Sequence, residues 1–196
     1  MPEPKRTAWS LAAFLTWEAV QAARYELVDG RPLLMTGGTQ AHRAICVNIV
    51  SLLHEKLRGT PCRPGGSDLR IPIPGTGQSR YPDALVDCGK FEPASHNASE
   101  PTVVFEVLSK SNDLRDQHGR LRDYDTVPTI RHYVVVAQTE PVVVVYDRDA
   151  AGRLAPGSMI TEPTSTLDLS ALAIALPLAA IYDGLTFPSD NAPTDG

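Results

Sequence analysis

The chain has 196 residues and a hydrophobic content of 42%, which suits one domain with a substantial core. A formal charge of -5 and a pI near 5.5 exclude the strong basic excess of proteins that coat nucleic acid without specificity. The longest apolar run, residues 171–182, is too short to span a bilayer and is interrupted by proline, so no membrane association is predicted.

The first predicted elements are a helix and a hairpin. Loosely helical spacing of apolar residues predicts an amphipathic helix over residues 9–23, with Thr7 or Ser10 as its N-cap. The Asp-Gly pair that ends YELVDG is a turn signal, and RPLLM follows it. The two segments therefore predict a hairpin of residues 25–28 and 32–35.

A long helix and three strands follow in the predicted order. Apolar positions at three- and four-residue steps predict a helix over residues 39–57. Residues 68–73 and 82–88 show strand-like alternation and are separated by the turn-rich segment PGTGQSR. The run TVVFEVL, residues 102–108, is apolar on both faces except at Glu106, which predicts a central, buried strand.

The last part of the chain predicts a third helix over residues 113–124 and a hairpin made by the runs HYVVV and VVVVY. A short strand over residues 171–176 and a terminal helix that starts near Pro177 complete the core. We expect a single α/β (α+β) domain over residues 1–187, with helices on a mixed, twisted sheet, and a disordered tail over residues 188–196.

The cysteines carry a prediction about the compartment. Cys46, Cys62 and Cys88 are odd in number, widely spaced and without a CxxC pair, so the sequence predicts neither a disulfide framework nor a zinc site. The first residues, MPEPKRTAWS, lack the apolar segment of a signal peptide. Both observations favour a reducing cytoplasm.

Two carboxylates are candidate metal ligands. Burying the Glu106 charge within a Val/Phe/Leu run is costly unless the carboxylate is paired or coordinates a metal. Asp83 follows Pro82 at the start of a predicted strand, where it can meet Glu106 on the neighbouring strand. Such a pair supplies the hard oxygen ligands that suit Mg²⁺. The alternatives are a buried ion pair for Glu106 and a turn or capping role for Asp83.

Five blocks in this order resemble the bacterial Uma-type family of putative restriction endonucleases, which belongs to the PD-(D/E)XK superfamily. They are YELVDG, AHRAICVNI, YPDALVDCG, VVFEVLSKS and DQHGRLRDY followed by RHYVVV, and the likeness covers roughly residues 14–182. The resemblance implies a restriction-endonuclease-like core. It also implies that Asp83 and Glu106 are the metal-binding acidic residues, and that Glu26 is an auxiliary acidic residue facing the same cleft.

The chain departs from the family pattern at its lysine. Leu108 occupies the place of the simple superfamily motif, and the family usually carries a lysine on the following helix, four residues before a tyrosine. Arg120 holds that place ahead of Tyr124, on the same helix side as Asp116. An arginine can hold a phosphate, but it does not release a proton to act as a base. Lys110 is the alternative ammonium.

These residues lead to two hypotheses. The first is a DNA endonuclease that uses Mg²⁺ or Mn²⁺ on Asp83 and Glu106, with Arg120 stabilising developing charge and Glu26 positioning metal or water. The second is a nuclease-fold protein that has lost cleavage and serves as a binding or assembly module. A small-molecule enzyme is a weaker third idea. A homodimer would present two clefts to two DNA strands.

Two further groups of residues have open roles. His42 begins the second predicted helix, where it can approach the cleft edge or serve only the structure. Several arginines could converge into a phosphate-binding surface in spite of the acidic total. They are Arg58, Arg63, Arg70, Arg80 and Arg120.

Overall fold

The computed structural model describes residues 8–35, 37–108 and 114–187. The helices there are α1 (Leu11–Glu18), α2 (Gln40–Lys56), α3 (Leu114–Asp125) and α4 (Leu178–Ile181). The strands are β1 (Tyr25–Val28), β2 (Arg31–Leu34), β3 (Arg63–Gly66), β4 (Ile71–Ile73), β5 (Gln78–Arg80), β6 (Ala84–Asp87), β7 (Pro101–Leu108), β8 (His132–Ala137), β9 (Val143–Arg148), β10 (Leu154–Ile160), β11 (Thr166–Leu169) and β12 (Ile174–Pro177). The tail predicted over residues 188–196 lies outside these ranges.

A six-stranded mixed sheet organises the fold, in the order β10-β9-β8-β7-β6-β3. Strands β7 and β8 are parallel, because α3 connects them, and the other neighbours in this sheet are antiparallel. A four-stranded sheet, β2-β1-β5-β4, and the β11-β12 pair accompany it. The predicted class, an α+β fold with a mixed sheet and flanking helices, is confirmed.

Strand β7 is buried on both faces, as its sequence predicted. Val103, Phe105 and Val107 point to the core cluster that contains the apolar side of α2. Val104 points the other way, into the cluster that contains Tyr124 of α3. Because side chains alternate along a strand, Glu106 is directed to the α3 face. The central strand thus delivers one carboxylate into the layer between the sheet and α3.

The caps of the first two helices agree with their local sequence. Ser10 caps α1 by accepting from the Ala13 amide at 3.2 Å, so of the two candidates for this cap the structure selects Ser10. The Thr39 side chain accepts from the His42 amide at 3.1 Å and caps α2. Each hydroxyl satisfies an amide that the first helical turn leaves without a partner. Among the described helices, none combines the length and the apolar character needed to cross a bilayer.

The structure contradicts the prediction that the chain has no disulfide. Cys62 and Cys88 form one, and their Cα atoms are 4.0 Å apart. The antiparallel pairing that joins Arg63 to Asp87 brings the two cysteines opposite each other, just beyond β3 and β6. Spacing along the chain did not indicate this bond because strand pairing, over a separation of 26 residues, creates the contact. Cys46 is the free cysteine of the three.

Candidate functional site

Asp83 and Glu106 lie level with each other on neighbouring chain segments. Strands β6 and β7 pair Ala84 with Phe105, so the next step of this antiparallel ladder brings Asp83 opposite Glu106. Asp83 Oδ2 accepts a hydrogen bond from the Val107 amide at 2.7 Å, which fixes the carboxylate against β7. The structure therefore brings the two predicted carboxylates together.

Two donors from α3 hold the Glu106 carboxylate. The Tyr124 hydroxyl donates to Oε1 at 2.7 Å, and the Arg120 guanidinium donates to the same oxygen at 2.8 Å. Glu106 is only 4% exposed. Burial raises the pKa of Tyr124 well above its ordinary value, so its hydroxyl keeps the proton that it donates.

Burial dominates the electrostatics of Glu106 and raises the pKa of its carboxyl group to about 7. The positive charge of Arg120 opposes this shift, while the negative charges of Asp83 and Glu26 add to it. The contribution of Asp83 means that the two predicted ligands lie close enough to repel each other. A cation bound there would therefore relieve a charge cost that the fold itself creates.

Arg120 bridges two carboxylates from different sheets. Besides Glu106, it donates to both oxygens of Glu26, each at 3.2 Å. Its side chain is 15% exposed, unlike the Arg122 side chain, which is 63% exposed. Helical spacing predicted the side of α3 on which Arg120 lies, but it did not indicate which carboxylates Arg120 contacts. The Asp116 side chain and Lys110 lie outside the described part of the chain.

A buried charge network, which the sequence did not indicate, extends from Glu26. Arg80 donates to Glu26 Oε2 at 3.2 Å and to Asp123 Oδ2 at 2.7 and 2.9 Å. The Arg80 side chain is 2% exposed and that of Asp123 is fully buried. The amide of Tyr81 also donates to Glu26, at 3.0 Å. Glu26 is thus buried beneath the site and accepts hydrogen bonds from Arg80, Tyr81 and Arg120.

The proposed convergence of arginines on a phosphate-binding surface is wrong for two of its members. Arg80 is buried in the network, and Arg70 forms a buried ion pair with Glu18. Neither guanidinium faces solvent, so neither can contact a phosphate backbone. Arg63 lies instead over the ring of Phe91, at 4.8 Å from its centroid.

His42 reaches the same site from the first turn of α2. Its Nε2 lies 3.2 Å from Asp83 Oδ1, and its Nδ1 lies 3.6 Å from Cys46 Sγ. The hydrogen bond to Asp83, and then the one to Cys46, raise the pKa of His42 to about 10. Of the two roles open to His42, the structure supports the approach to the cleft. The histidine and Cys46 are four residues apart, a spacing that could have singled them out.

The donor set around Asp83 and Glu106 fits a hard divalent cation. Arg120 and Tyr124 both donate to Oε1 of Glu106. Asp83 contributes carboxylate oxygens at the same end of the strands and its side chain is 20% exposed. Carboxylate oxygens are the ligands that Mg²⁺ and Mn²⁺ prefer.

The mixed sheet, its flanking helices and the carboxylates on adjacent strands define a restriction-endonuclease-like fold. A crystal structure described as a putative nuclease belonging to DUF820, from Anabaena variabilis, has the same fold, with a TM-score of 0.72. The match covers 88% of this chain and 97% of the other, at 16% sequence identity. At this identity the similarity establishes the fold alone.

The chain belongs to the Uma2 family, described as "Putative restriction endonuclease", whose model matches residues 11–179. It is 30% identical over 178 residues to the uncharacterized protein slr1290 of Synechocystis, covering 89% of this chain and 91% of that protein. A second uncharacterized Synechocystis protein, sll1609, is 26% identical over 65% of this chain and 73% of its own length. The predicted family is confirmed, and family and fold together support a nuclease.

Proposed function

We propose that this protein is a divalent-metal-dependent endonuclease that hydrolyses phosphodiester bonds in DNA. The observation that carries the proposal is the meeting of Asp83 with a buried Glu106, whose charge is costly without a cation. Asp83 and Glu106 would hold Mg²⁺ or Mn²⁺. When bound, such an ion supplies an activated water and offsets negative charge on the phosphate.

The residues around Asp83 and Glu106 would orient the two carboxylates and stabilise negative charge. The Val107 amide orients Asp83, and the Tyr124 hydroxyl orients Glu106, so neither carboxylate has to reorganise on binding a ligand. Arg120 keeps its proton at any working pH, which restricts it to stabilising negative charge. Glu26 would act mainly by fixing Arg120, because both of its oxygens accept from that guanidinium.

The second candidate function is a nuclease-fold module that binds without cutting. The observation that favours it is the position of Arg120, which bonds to both Glu26 and Glu106 and so already supplies positive charge there. A lysine in this place would carry a compact ammonium and could lose a proton, whereas an arginine cannot. The two functions therefore differ in what the variant Arg120→Lys does.

Plasmid cutting tests the first function. Purified protein is incubated with supercoiled DNA in Mg²⁺, in Mn²⁺ or in EDTA, and nicked and linear products are measured. Metal-dependent cutting is expected, with a loss of at least about a hundredfold in Asp83→Asn and in Glu106→Gln, because each removes a charged ligand. Glu55→Gln, an exposed change on α2, is the matched control.

Three outcomes decide between the candidates. Equal cutting by wild type, Asp83→Asn and Glu106→Gln contradicts the assignment of the site. No cutting by wild type, together with cutting by Arg120→Lys, favours the binding module. Cutting by wild type that is lost in both carboxylate variants supports the nuclease.

Assembly and compartment belong to the same proposal. A homodimer would offer one cleft to each strand of a duplex, and sedimentation of the protein with and without DNA tests it. Cytoplasmic location stays a prediction, tested by cell fractionation. The Cys62–Cys88 disulfide removes the cysteine argument for it, because structural disulfides are rare in reducing compartments.

A further inference from the structure

The side chains of His42, Cys46 and Asp83 form a cluster of three different ligand types. One ligand atom from each residue lies within 4.8 Å of the corresponding atoms of the other two. His42 and Cys46 lie one turn apart on the same side of α2, and Asp83 faces them from the segment that enters β6. We call these three residues the thiol–imidazole–carboxylate group.

We propose that the thiol–imidazole–carboxylate group binds a borderline or soft divalent cation of the Zn²⁺ or Co²⁺ class. The cation would coordinate Cys46, His42 and one oxygen of Asp83, and its binding would release to solvent the proton of the Cys46 thiol and the proton displaced from the coordinating His42 nitrogen. This site is separate from the hard-cation pair formed by Asp83 and Glu106, with which it shares only Asp83. It does not require the protein to cut DNA.

The chemistry of the three ligands carries the first part of the argument. Thiolate and imidazole donors select Zn²⁺ or Co²⁺, whereas Mg²⁺ prefers oxygen donors. Cys46 is the free cysteine, because Cys62 and Cys88 are joined in the disulfide. Its sulfur therefore remains available as a ligand. Three protein ligands leave a fourth position for water or another group, as in open zinc sites.

The distances carry the second part of the argument. In a tetrahedral zinc site with ordinary bond lengths, neighbouring ligand atoms lie about 3.3–3.8 Å apart. The contacts in the group are 3.2 Å between His42 and Asp83 and 3.6 Å between His42 and Cys46. These two contacts use opposite ring nitrogens, so a shared cation needs the side chains to rotate until one ring nitrogen, the Cys46 sulfur and an Asp83 oxygen converge. Such a set of atoms already lies within 4.8 Å of one another.

Solvent can reach the thiol–imidazole–carboxylate group, and neighbouring groups hold or accommodate its ligands. The His42 and Asp83 side chains are 18% and 20% exposed, so a cation can reach them from solvent. Gly38, just before α2, leaves room for the imidazole, because a Cβ there would lie 2.8 Å from Nδ1. The Val107 amide holds the other oxygen of Asp83. The backbone amide thus fixes Asp83, and the glycine gives the His42 imidazole the space it occupies, before any cation binds.

A titration with Co²⁺ tests this proposal without any nuclease assay. Binding through Cys46 is expected to produce a thiolate-to-cobalt charge-transfer absorption in the near ultraviolet, with visible bands typical of four-coordination. Zn²⁺ should abolish these bands, because it binds such donors more tightly than Co²⁺. Cys46→Ser and Cys46→Ala should remove the charge-transfer absorption, and circular dichroism verifies that at least one of them is folded.

Substitutions on the other ligands separate a built site from binding by a single thiol. His42→Ala and Asp83→Asn should each weaken Co²⁺ binding at least about tenfold. His54→Ala, which removes an exposed histidine from the same helix, should leave it unchanged. Glu106→Gln should retain the absorption even though the proposed nuclease would lose activity. Absence of the absorption in wild type, or equal binding by wild type and His42→Ala, would overturn the proposal.

Discussion

Replacing Arg80 with methionine is expected to lower the free energy of unfolding by about 3–5 kcal/mol, because it leaves a buried negative charge without compensation. Asp123 has no solvent exposure and receives two hydrogen bonds from Arg80. The distance from Asp123 to the Arg122 guanidinium is 3.8 Å, too long for a hydrogen bond to replace them. Urea denaturation of wild type and Arg80→Met measures the difference.

Two further variants show whether the loss comes from the orphaned charge. Arg122→Ala removes an exposed guanidinium from α3, the helix that carries Asp123, and should change the free energy of unfolding by less than about 0.5 kcal/mol. The double variant Arg80→Met/Asp123→Leu should recover most of the loss, because the carboxylate is removed together with its partner. A loss below about 1 kcal/mol in Arg80→Met would contradict the importance of this ion pair.

The Arg80 network also links stability to the candidate site. Arg80 and Arg120 donate to the same carboxylate, that of Glu26, and Arg120 in turn holds Glu106. Loss of Arg80 should therefore let Glu26 shift toward Arg120 and alter the charge balance at Glu106. Cutting by Arg80→Met, measured at a temperature where the variant is fully folded, should fall even though Arg80 is distant from solvent.

Strong periodicity and burial made parts of the fold predictable. The helix predicted over residues 39–57 is α2 with its cap, and the central position of β7 followed from an apolar run with two buried faces. Strand β5 was missed because its sequence, Gln-Ser-Arg, is polar. Two of its side chains are satisfied in the interior, because Gln78 accepts from the Asp29 amide and Arg80 pairs with Glu26 and Asp123. A hydropathy pattern cannot represent such pairing. The pairing of β3 with β6 likewise joins segments that are far apart in the sequence.

The first helix shows the same limit at a smaller scale. The sequence predicts a helix over residues 9–23, but α1 covers only Leu11–Glu18, because the chain turns toward β1 after Glu18. The short buried face of α1 contains Phe14 and Glu18. Glu18 is buried by its ion pair with Arg70 and a hydrogen bond from Tyr81. A buried acid that is paired through tertiary contacts has no signature in local spacing.

The candidate site, like the fold, was predictable from the sequence only in part. Asp83 and Glu106 were predicted from burial and strand position as well as from the resemblance, and Arg120 and Glu26 from the resemblance alone. The structure brings all four together. The supporting charge network was not predictable: Arg80 and Asp123 approach the site only through sheet pairing and helix packing. Residue type and strand position identify candidate ligands, whereas the surrounding hydrogen bonds depend on elements far apart in the chain.

Glu106→Gln is expected to make the protein more stable above neutral pH, by about 3 kcal/mol in the absence of divalent cations. The pKa of Glu106 rises from 4.5 to about 7 in the fold. Below pH 4.5 the carboxyl group is protonated in both states, and the two proteins should be equally stable. As the pH rises toward 7, the unfolded chain ionises first, so the wild type loses stability that the glutamine variant keeps.

Denaturation in EDTA at several pH values measures this difference, with Glu55→Gln as the exposed control that should show no such trend. Glutamine retains an oxygen that can accept from Tyr124 and Arg120, so the comparison isolates the charge. Mg²⁺ should then make wild type the more stable of the two proteins, because the ion binds the ionised carboxylate of the folded wild type. It should leave the free energy of unfolding of Glu106→Gln unaffected. A glutamine variant that is less stable than wild type at pH about 8 in EDTA would mean that Arg120 fully compensates Glu106. The buried charge of Glu106 would then not favour the binding of a cation.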